Sequence, residues 1–392
     1  MDLLFKLAIV ILVGCLAGKL AKTVKLSNIF GYLIAGLVLG PSFLKLISSQ
    51  DLTSLRLIGD VALAIVAFKI GSEFVLKDMK KLGKAFLIIT FAEVMGAIFV
   101  VFFILYFLSK GDLVFSLIMA SISAATAPAA TIMVMRQYRS DGPVTRTLLP
   151  VTALDGVLGV ALFGVAISVA RMYVVAGEMT TWQMIGRPLV EILGSLALGV
   201  VLGLALTLLS KRAGDSDELL IITLALILVS TSVARLMGLS PLLANIMMGA
   251  ALTNLTQNTN LSHFTPPIYL LFFTLAGASL DLGVLMGAAL LGLAYLVARA
   301  AGKMLGAWLG AKGSGAEPTV RRYLGVALLP QGGISVALAV LVRYHFPEIS
   351  TAVTAIIVSS VLLYEIAGPT LAKTAIEKAG EIGGMGRQID TV

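Results

Sequence analysis

The sequence predicts an all-α polytopic membrane protein with about thirteen transmembrane helices, arranged as inverted-topology repeats with two crossing discontinuous helices. The chain is 58% hydrophobic and 13% charged, with a mean hydropathy of +1.01. Soluble domains carry about a quarter charged residues, so a soluble fold is excluded. Apolar windows that could span a bilayer recur along the whole chain, and two of them are broken, one at Pro128 and one at Pro330 with Gly332 and Gly333.

The predicted spans are windows of about 20 apolar residues. They lie at about residues 3–21, 28–47, 55–74, 84–108, 113–135, 146–171, 187–210, 218–236, 240–255, 265–281, 283–311, 321–343 and 350–374. Lys and Arg residues concentrate in the segments that follow every second span, beginning with the first. Cytoplasmic loops carry such an excess. This pattern places the N-terminus outside and the C-terminus in the cytoplasm.

Residue usage excludes several other classes of protein. The single cysteine, Cys15, excludes a disulfide framework, and two histidines, His263 and His345, are too few for a His-built metal site. The net charge of +8 does not indicate nucleic-acid binding, because the basic residues lie between apolar segments. There they contact anionic lipid headgroups. Without a nucleophile–base pair or a phosphate loop, neither an enzyme nor a cofactor is predicted.

The two halves of the chain resemble each other. Three pairs of segments correspond, seven spans apart: 32–40 with 241–249, 68–73 with 274–279, and a break at Pro128 with one at 329–335. Seven is odd, so the second copy enters the membrane from the opposite side. The second break contains Pro330, Gly332 and Gly333, which together are too unfavourable to a helix for a simple proline kink. Paired breaks indicate the binding site of a transporter.

Asp155 lies within the otherwise apolar stretch 148–160. An ionisable side chain at membrane depth is costly and usually marks an ion or proton pathway. Arg299 and Lys303 are one helical turn apart and share a face. A buried lysine needs a carboxylate partner, so we expect Asp155 to pair with Lys303. Alternatively, one or both cations extend to the cytoplasmic surface, for which Arg299 is the stronger candidate.

The broken helices are expected to supply neutral ligands. Unwound carbonyl groups and the side chains of Thr126 and Gln331 can replace the water shell of a cation. Four further residues are secondary candidates for ion handling: Glu93, Glu365, Asn245 and Ser335. Glu365 has an alternative role as a capping or pairing residue.

The motifs together resemble the monovalent cation/proton antiporter superfamily. They comprise residues 31–36 with 40–41, 126–131, 153–159, and Gly302-Lys303 followed by Gly306. The resemblance is to its second branch, with NapA-type sodium/proton and Kef-type potassium/proton antiporters, and covers essentially the whole chain. It implies an NhaA/NapA-like fold and a homodimer in a bacterial or archaeal cytoplasmic membrane. Residues 84–171 and 283–374 would form a core, 1–83 and 218–281 a dimerisation scaffold, 187–210 a linker helix and 375–392 a short tail.

The resemblance also implies roles for two adjacent acids. Asp155 matches the first acid, which pairs with the lysine at Lys303, but the position of the second, the carrier of cation and proton, holds Gly156. Three alternatives follow. Asp155 itself alternates between proton, cation and Lys303; Glu93 has replaced the missing acid; or the chain has lost coupled exchange while keeping the fold.

The sequence therefore predicts a secondary active transporter that exchanges protons for Na⁺ or K⁺ by an elevator-type movement. The expected partners are monovalent cations, protons and membrane lipids. One alternative is a carrier of anions or organic solutes that uses Lys303 or Arg299. Another is a non-transporting sensor or channel-like protein.

Overall fold

The computed structural model describes residues 2–24, 26–72, 83–175, 181–212, 214–256 and 265–384, and within these ranges the chain is helical without a strand. The helices are α1 (Leu3–Thr23), α2 (Asn28–Leu39), α3 (Ser49–Ser54), α4 (Arg56–Ser72), α5 (Lys84–Leu108), α6 (Leu113–Ser123), α7 (Pro128–Gln137), α8 (Pro143–Val175), α9 (Thr181–Ser210), α10 (Ser216–Leu236), α11 (Pro241–Leu255), α12 (Thr265–Ala278), α13 (Leu282–Gly287), α14 (Ala289–Gly313), α15 (Pro318–Ala327), α16 (Gly333–His345) and α17 (Pro347–Lys378). His263, the end of the 68–73 motif and the tail from 385 lie outside the described residues.

Seven described helices are long and apolar enough to cross a membrane: α1, α5, α8, α9, α10, α14 and α17. Five shorter apolar helices accompany them: α2, α6, α11, α12 and α16. The all-helical, multi-pass class is thus confirmed. The number of crossings stays a prediction.

Two predicted spans differ from the helices observed. The second span ends at Leu39 rather than near residue 47, because Pro41 lacks an N–H group and disfavours helical backbone at the residue before it. The eleventh is divided into α13 and α14, and the Asp281 carboxylate caps α13 by accepting a 2.8 Å bond from the Gly283 N–H. The fifth and twelfth spans each consist of two half-helices, α6 with α7 and α15 with α16, as their predicted breaks require.

The chain forms two compact units. Unit 1 comprises residues 1–17, 32–78 and 164–279, and unit 2 comprises residues 18–31, 79–163 and 280–392. In unit 1, α4 and α11 approach each other backbone to backbone. A Cβ on Gly249 would overlap the Phe68 carbonyl, and one on Gly71 would overlap the Ile246 carbonyl. Glycine at both positions therefore allows the two helices to pack closely.

In unit 2, the buried Glu381 carboxylate caps the N-terminus of α8, the helix that carries Asp155. It accepts hydrogen bonds from the backbone N–H groups of Val144 (2.7 Å) and Thr145 (2.8 Å) and from the Thr145 hydroxyl (2.6 Å). The first N–H groups of a helix have no partner within the helix, and the helix dipole favours an anion there. Beside this cap, a hydrogen bond from Arg146 lowers the pKa of Asp141, so that carboxylate stays ionised.

Glu381→Ala is expected to lower the free energy of unfolding by about 1–2 kcal/mol, because three donors lose their acceptor. The apparent Tm in detergent measures this loss. Glu377→Ala is the matched control, since Glu377 is an exposed acid in the last turn of α17. Equal effects of the two substitutions would show that the cap contributes nothing specific.

Candidate ion-binding site

Two broken helices cross inside unit 2. Residues 124–127 are unwound between α6 and α7, and residues 328–332 are unwound between α15 and α16. The Ala127 N–H donates a 3.0 Å hydrogen bond to the Pro330 carbonyl. A Cβ on Gly332 would lie only 2.7 Å from the Ala127 Cβ, so glycine allows the crossing. Pro128 begins α7 and Gly333 begins α16, so helix breakers border both unwound segments.

Arg299 on α14 is fully buried and binds the backbone of both broken helices. Its guanidinium donates to the carbonyls of Ser123 (3.0 Å), Ala125 (2.9 Å) and Leu329 (2.7 Å). Carbonyl groups at helix C-termini lack partners and carry partial negative charge. The ring of Tyr364 lies 4.7 Å from the guanidinium carbon, in cation–π geometry. The alternative in which Arg299 extends to the surface is therefore wrong, because the crossing itself supplies its acceptors.

Asp155 on α8 is fully buried beside the first unwound segment. Its Oδ1 accepts a 3.2 Å bond from the Thr126 N–H, and its Oδ2 accepts a bond from the Thr126 hydroxyl. Oδ2 also lies 3.0 Å from the ammonium of Lys303. Both carboxylate oxygens thus have partners, and all of these partners are donors.

Lys303 on α14 lies between two carboxylates. Besides Asp155, its Nζ binds the Glu93 Oε1 and lies 2.8 Å from the Thr126 hydroxyl oxygen. All three charged side chains are fully buried. Burying charged groups costs several kcal/mol each unless they are paired and hydrogen-bonded. The ammonium is therefore the counterion that makes two carboxylates tolerable at this depth.

Glu93 on α5 is the second carboxylate of this cluster. Its Oε1 accepts from Lys303, whereas its Oε2 is buried and has no hydrogen-bond partner among the residues that the structure describes. Unpartnered buried acceptors are rare in folded proteins and suggest a functional reason. Glu93 and Asp155 come from different helices, and both bind the ammonium of Lys303.

Glycines bring Glu93 to Lys303. Gly302, Gly306 and Gly310 recur every four residues on α14 and face α5. A Cβ on Gly306 would overlap the Ala92 carbonyl and lie 2.7 Å from the Glu93 Cα. Small residues at this spacing allow two membrane helices to approach closely. The sequence motif around Lys303 thus determines how near α5 lies.

Gly306→Val is expected to reduce any transport at least tenfold, because overpacking of about 1–3 kcal/mol would push α5 away from α14 and separate Glu93 from Lys303. Transport assays on the purified protein measure this effect. Gly313→Val is the matched control, since a Cβ on Gly313 meets no atom within 4 Å. Equal activity of both variants would contradict this account of the packing.

Gln331 and Ser335 belong to a separate buried network. The Gln331 Nε2 donates to the Tyr295 hydroxyl (2.9 Å) and to Ser335 (3.0 Å), while its Oε1 accepts from Ser360 (2.8 Å). The amide of Gln331 is thus engaged on both sides. In this conformation it supports the second unwound segment and does not present a free ligand.

The other two secondary candidates lie outside the Lys303 cluster. Glu365 on α17 is buried and its carboxylate is hydrogen-bonded to Ser27. Asn245 lies in unit 1, where its amide donates to Thr231 (2.9 Å) and to the Pro241 carbonyl (2.8 Å). Gly156 is buried, and a Cβ there would meet only the Ile334 Cδ1, at an ordinary 3.5 Å. A Cβ therefore fits at this position.

Tyr295, Ser360 and Tyr364 are not among the residues that the sequence singles out. A signal for Tyr295 exists, because Tyr295, Arg299 and Lys303 recur every four residues and so share one helix face. No comparable spacing distinguishes Ser360 and Tyr364 from the apolar residues around them.

Comparison with known families agrees with this architecture. The sequence profile of the family described as "Sodium/hydrogen exchanger, transmembrane" matches residues 7–376. The chain belongs to this sodium/hydrogen exchanger family. Members of the family are transporters rather than enzymes, and the resemblance to cation/proton antiporters is thus confirmed.

Named relatives of this chain are distant in sequence. It is 23% identical over 376 residues to the ammonium/H⁺ antiporter subunit AmhT of Alkalihalophilus pseudofirmus, with 94% of each chain covered. It is 25% identical to the Na⁺/H⁺ antiporter NhaS4 of Synechocystis sp., with 83% of this chain and 85% of that protein covered. The iron transporter MagA of Paramagnetospirillum magneticum is 24% identical over 290 residues, but the chain covers only 63% of that protein.

The fold of this chain resembles that of a solved antiporter. The structure of the sodium proton antiporter MjNhaP1 from Methanocaldococcus jannaschii superposes with a TM-score of 0.77. Sequence identity is 18%, and 97% of this chain and 100% of the other are covered. The two proteins therefore share a fold along almost their whole length.

Proposed function

We propose that this chain is a secondary active transporter that exchanges protons for Na⁺ or K⁺ across a bacterial or archaeal cytoplasmic membrane. The observation that carries the proposal is the buried cluster in which Lys303 binds both Asp155 and Glu93. Family membership and relatives named as cation/proton antiporters support it.

The chemistry of the cluster suits exchange. Carboxylate, hydroxyl and carbonyl oxygens are the ligands that hard cations prefer, and the same carboxylates bind protons. Asp155, Glu93 and Thr126 supply such oxygens in one buried place. A cation and a proton therefore compete for the same negative charge, and this competition couples their opposite movements.

An elevator-type movement fits the distribution of the site residues. Both unwound segments, both acids, Lys303 and Arg299 belong to unit 2. Unit 2 can therefore carry the complete site as one body while unit 1 serves as scaffold. We further propose a homodimer, with the N-terminus outside and the C-terminus in the cytoplasm. Light scattering in detergent and accessibility labelling of the termini test these two points.

The arrangement of cations disfavours the anion-carrier alternative. The Arg299 guanidinium is held by three carbonyl groups and by Tyr364, and the Lys303 ammonium is held by two carboxylates. Neither cation presents an open face to an anion in this conformation. The site instead combines partnered cations with a carboxylate oxygen that lacks a donor.

Reconstitution into proteoliposomes with an enclosed pH-sensitive dye tests the proposal. We expect Na⁺ or K⁺ added outside to drive protons out of the vesicle lumen, at pH values from mildly acidic to alkaline. Empty liposomes control for leakage. If none of Na⁺, K⁺ and Li⁺ elicits proton movement, the proposal is contradicted. Uptake of carboxylates or bicarbonate in its place would favour an anion carrier, and no flux at all would favour a non-transporting protein.

A further inference from the structure

The two carboxylates that share Lys303 differ in their remaining contacts. Asp155 has partners at both oxygens, namely the Thr126 N–H, the Thr126 hydroxyl and Lys303. Within the described part of the chain, Glu93 has a partner at Oε1 alone, while Oε2 is fully buried without one. A carboxylate with both oxygens occupied by donors is fixed as an anion, whereas one with a free oxygen can accept a further ligand.

Building on the proposed exchange function, we propose that Glu93 is the carboxylate that binds the transported proton and cation in turn. Asp155 then has a different role. It holds Lys303 and Thr126 at the crossing of the broken helices and remains ionised. This assignment separates two functions that would otherwise fall on a single residue.

The charges balance through this exchange. A protonated Glu93 gives its proton to water on the side to which the site opens, and the resulting carboxylate binds one monovalent cation. Lys303 remains an ammonium paired with Asp155 throughout, because it has two carboxylate partners and can lose one without becoming an unpaired buried charge. One proton is therefore exchanged for one cation, and the net charge of the site does not change.

The location of Glu93 also suits a mobile ligand. Glu93 reaches Lys303 from α5, whereas Asp155 is bonded to the unwound segment through the backbone N–H of Thr126. Breaking the single contact of Glu93 leaves the crossing intact. Breaking the contacts of Asp155 would remove acceptors from three donors at once.

Infrared difference spectroscopy of the reconstituted protein tests this assignment directly. Protein with the ¹³C label on its glutamate side-chain carboxyl groups is compared with protein labelled on its aspartate carboxyl groups. Addition of Na⁺ or K⁺ is expected to remove a protonated-carboxyl band that the glutamate label shifts and the aspartate label does not. No substitution is needed for this step, so folding of variants does not affect it.

Two variants then identify the glutamate. We expect the band to be absent from Glu93→Gln and present in Glu365→Gln, which alters the buried glutamate bonded to Ser27. Glu93→Gln should also lower the rate of exchange at least about a hundredfold, as loss of a proton-transferring group does. Glu93→Asp should keep exchange but shift its pH profile and the frequency of the band.

The outcomes separate this inference from the proposed function. A band that moves with the aspartate label, or that survives Glu93→Gln, would overturn the role of Glu93 while exchange itself stands. Exchange without any change in a carboxyl band would assign the transported proton to Lys303, and this result would also overturn the role of Glu93. Wild-type protein that transports neither protons nor cations would contradict the proposed function instead.

Discussion

Asp155→Asn is expected to abolish cation-driven proton exchange, with a loss of more than about a hundredfold. The Thr126 N–H, the Thr126 hydroxyl and Lys303 all donate to this side chain. Asparagine has one acceptor oxygen, so its own NH₂ group must face one of these donors. Removing one partner of a buried ion pair destabilises a protein by about 3–5 kcal/mol. An increase of about 3 kcal/mol in the transport barrier lowers the rate more than a hundredfold.

The dye assay in proteoliposomes measures this loss. Thr152→Val is the matched control, because Thr152 is buried one turn earlier on α8. Among the described residues its hydroxyl bonds only the Leu148 carbonyl of its own helix. We expect that variant to retain exchange. Full rate in Asp155→Asn, or equal losses in both variants, would remove Asp155 from the mechanism.

Lys303→Met is expected to destabilise the protein by about 3–5 kcal/mol and to stop exchange, because two buried carboxylates lose their shared counterion. Methionine is flexible and of similar length, so the loss is electrostatic rather than a cavity effect. The apparent Tm in detergent is expected to fall, and to fall less in Lys303→Met/Glu93→Gln, which removes one of the two uncompensated charges.

Lys312→Met provides the control on the same helix, since Lys312 is exposed in the last turn of α14. Its apparent Tm should remain close to that of the wild-type protein. A Lys303→Met protein as stable as Lys312→Met would mean that at least one acid is neutral without Lys303, and that the ammonium does not stabilise the pair.

The class of protein and the position of its helix breaks follow from local sequence. Backbone groups at membrane depth must be satisfied within helices, so apolar windows predict helices directly. Proline and glycine act on the backbone of their own segment. The unwound residues, which include Thr126 and Gln331, therefore lie beside Pro128 and at Pro330, as the sequence predicts. The free-energy cost of an unpaired charge inside a membrane is enough to suggest the pairing of Asp155 with Lys303, because few other partners exist there.

The contacts of Glu93 and Arg299 could not be predicted in this way, because they depend on how helices pack. Glu93 meets Lys303 only because α5 lies against glycines of α14. Arg299 finds its acceptors only where two broken helices cross. The glycine at position 156, where the family resemblance implies a second acid, can be read from the sequence. Glu93, the other acid that contacts Lys303, comes from a segment more than sixty residues away.

The most direct test of the account is the apparent KM for Na⁺ or K⁺ as a function of pH, measured for proton exchange in proteoliposomes. If protons and cations compete for the same buried carboxylate, the KM rises as pH falls, by up to about tenfold per pH unit. A KM that does not change with pH, or cation flux without opposite proton flux, would contradict the claim that one site in unit 2 binds both.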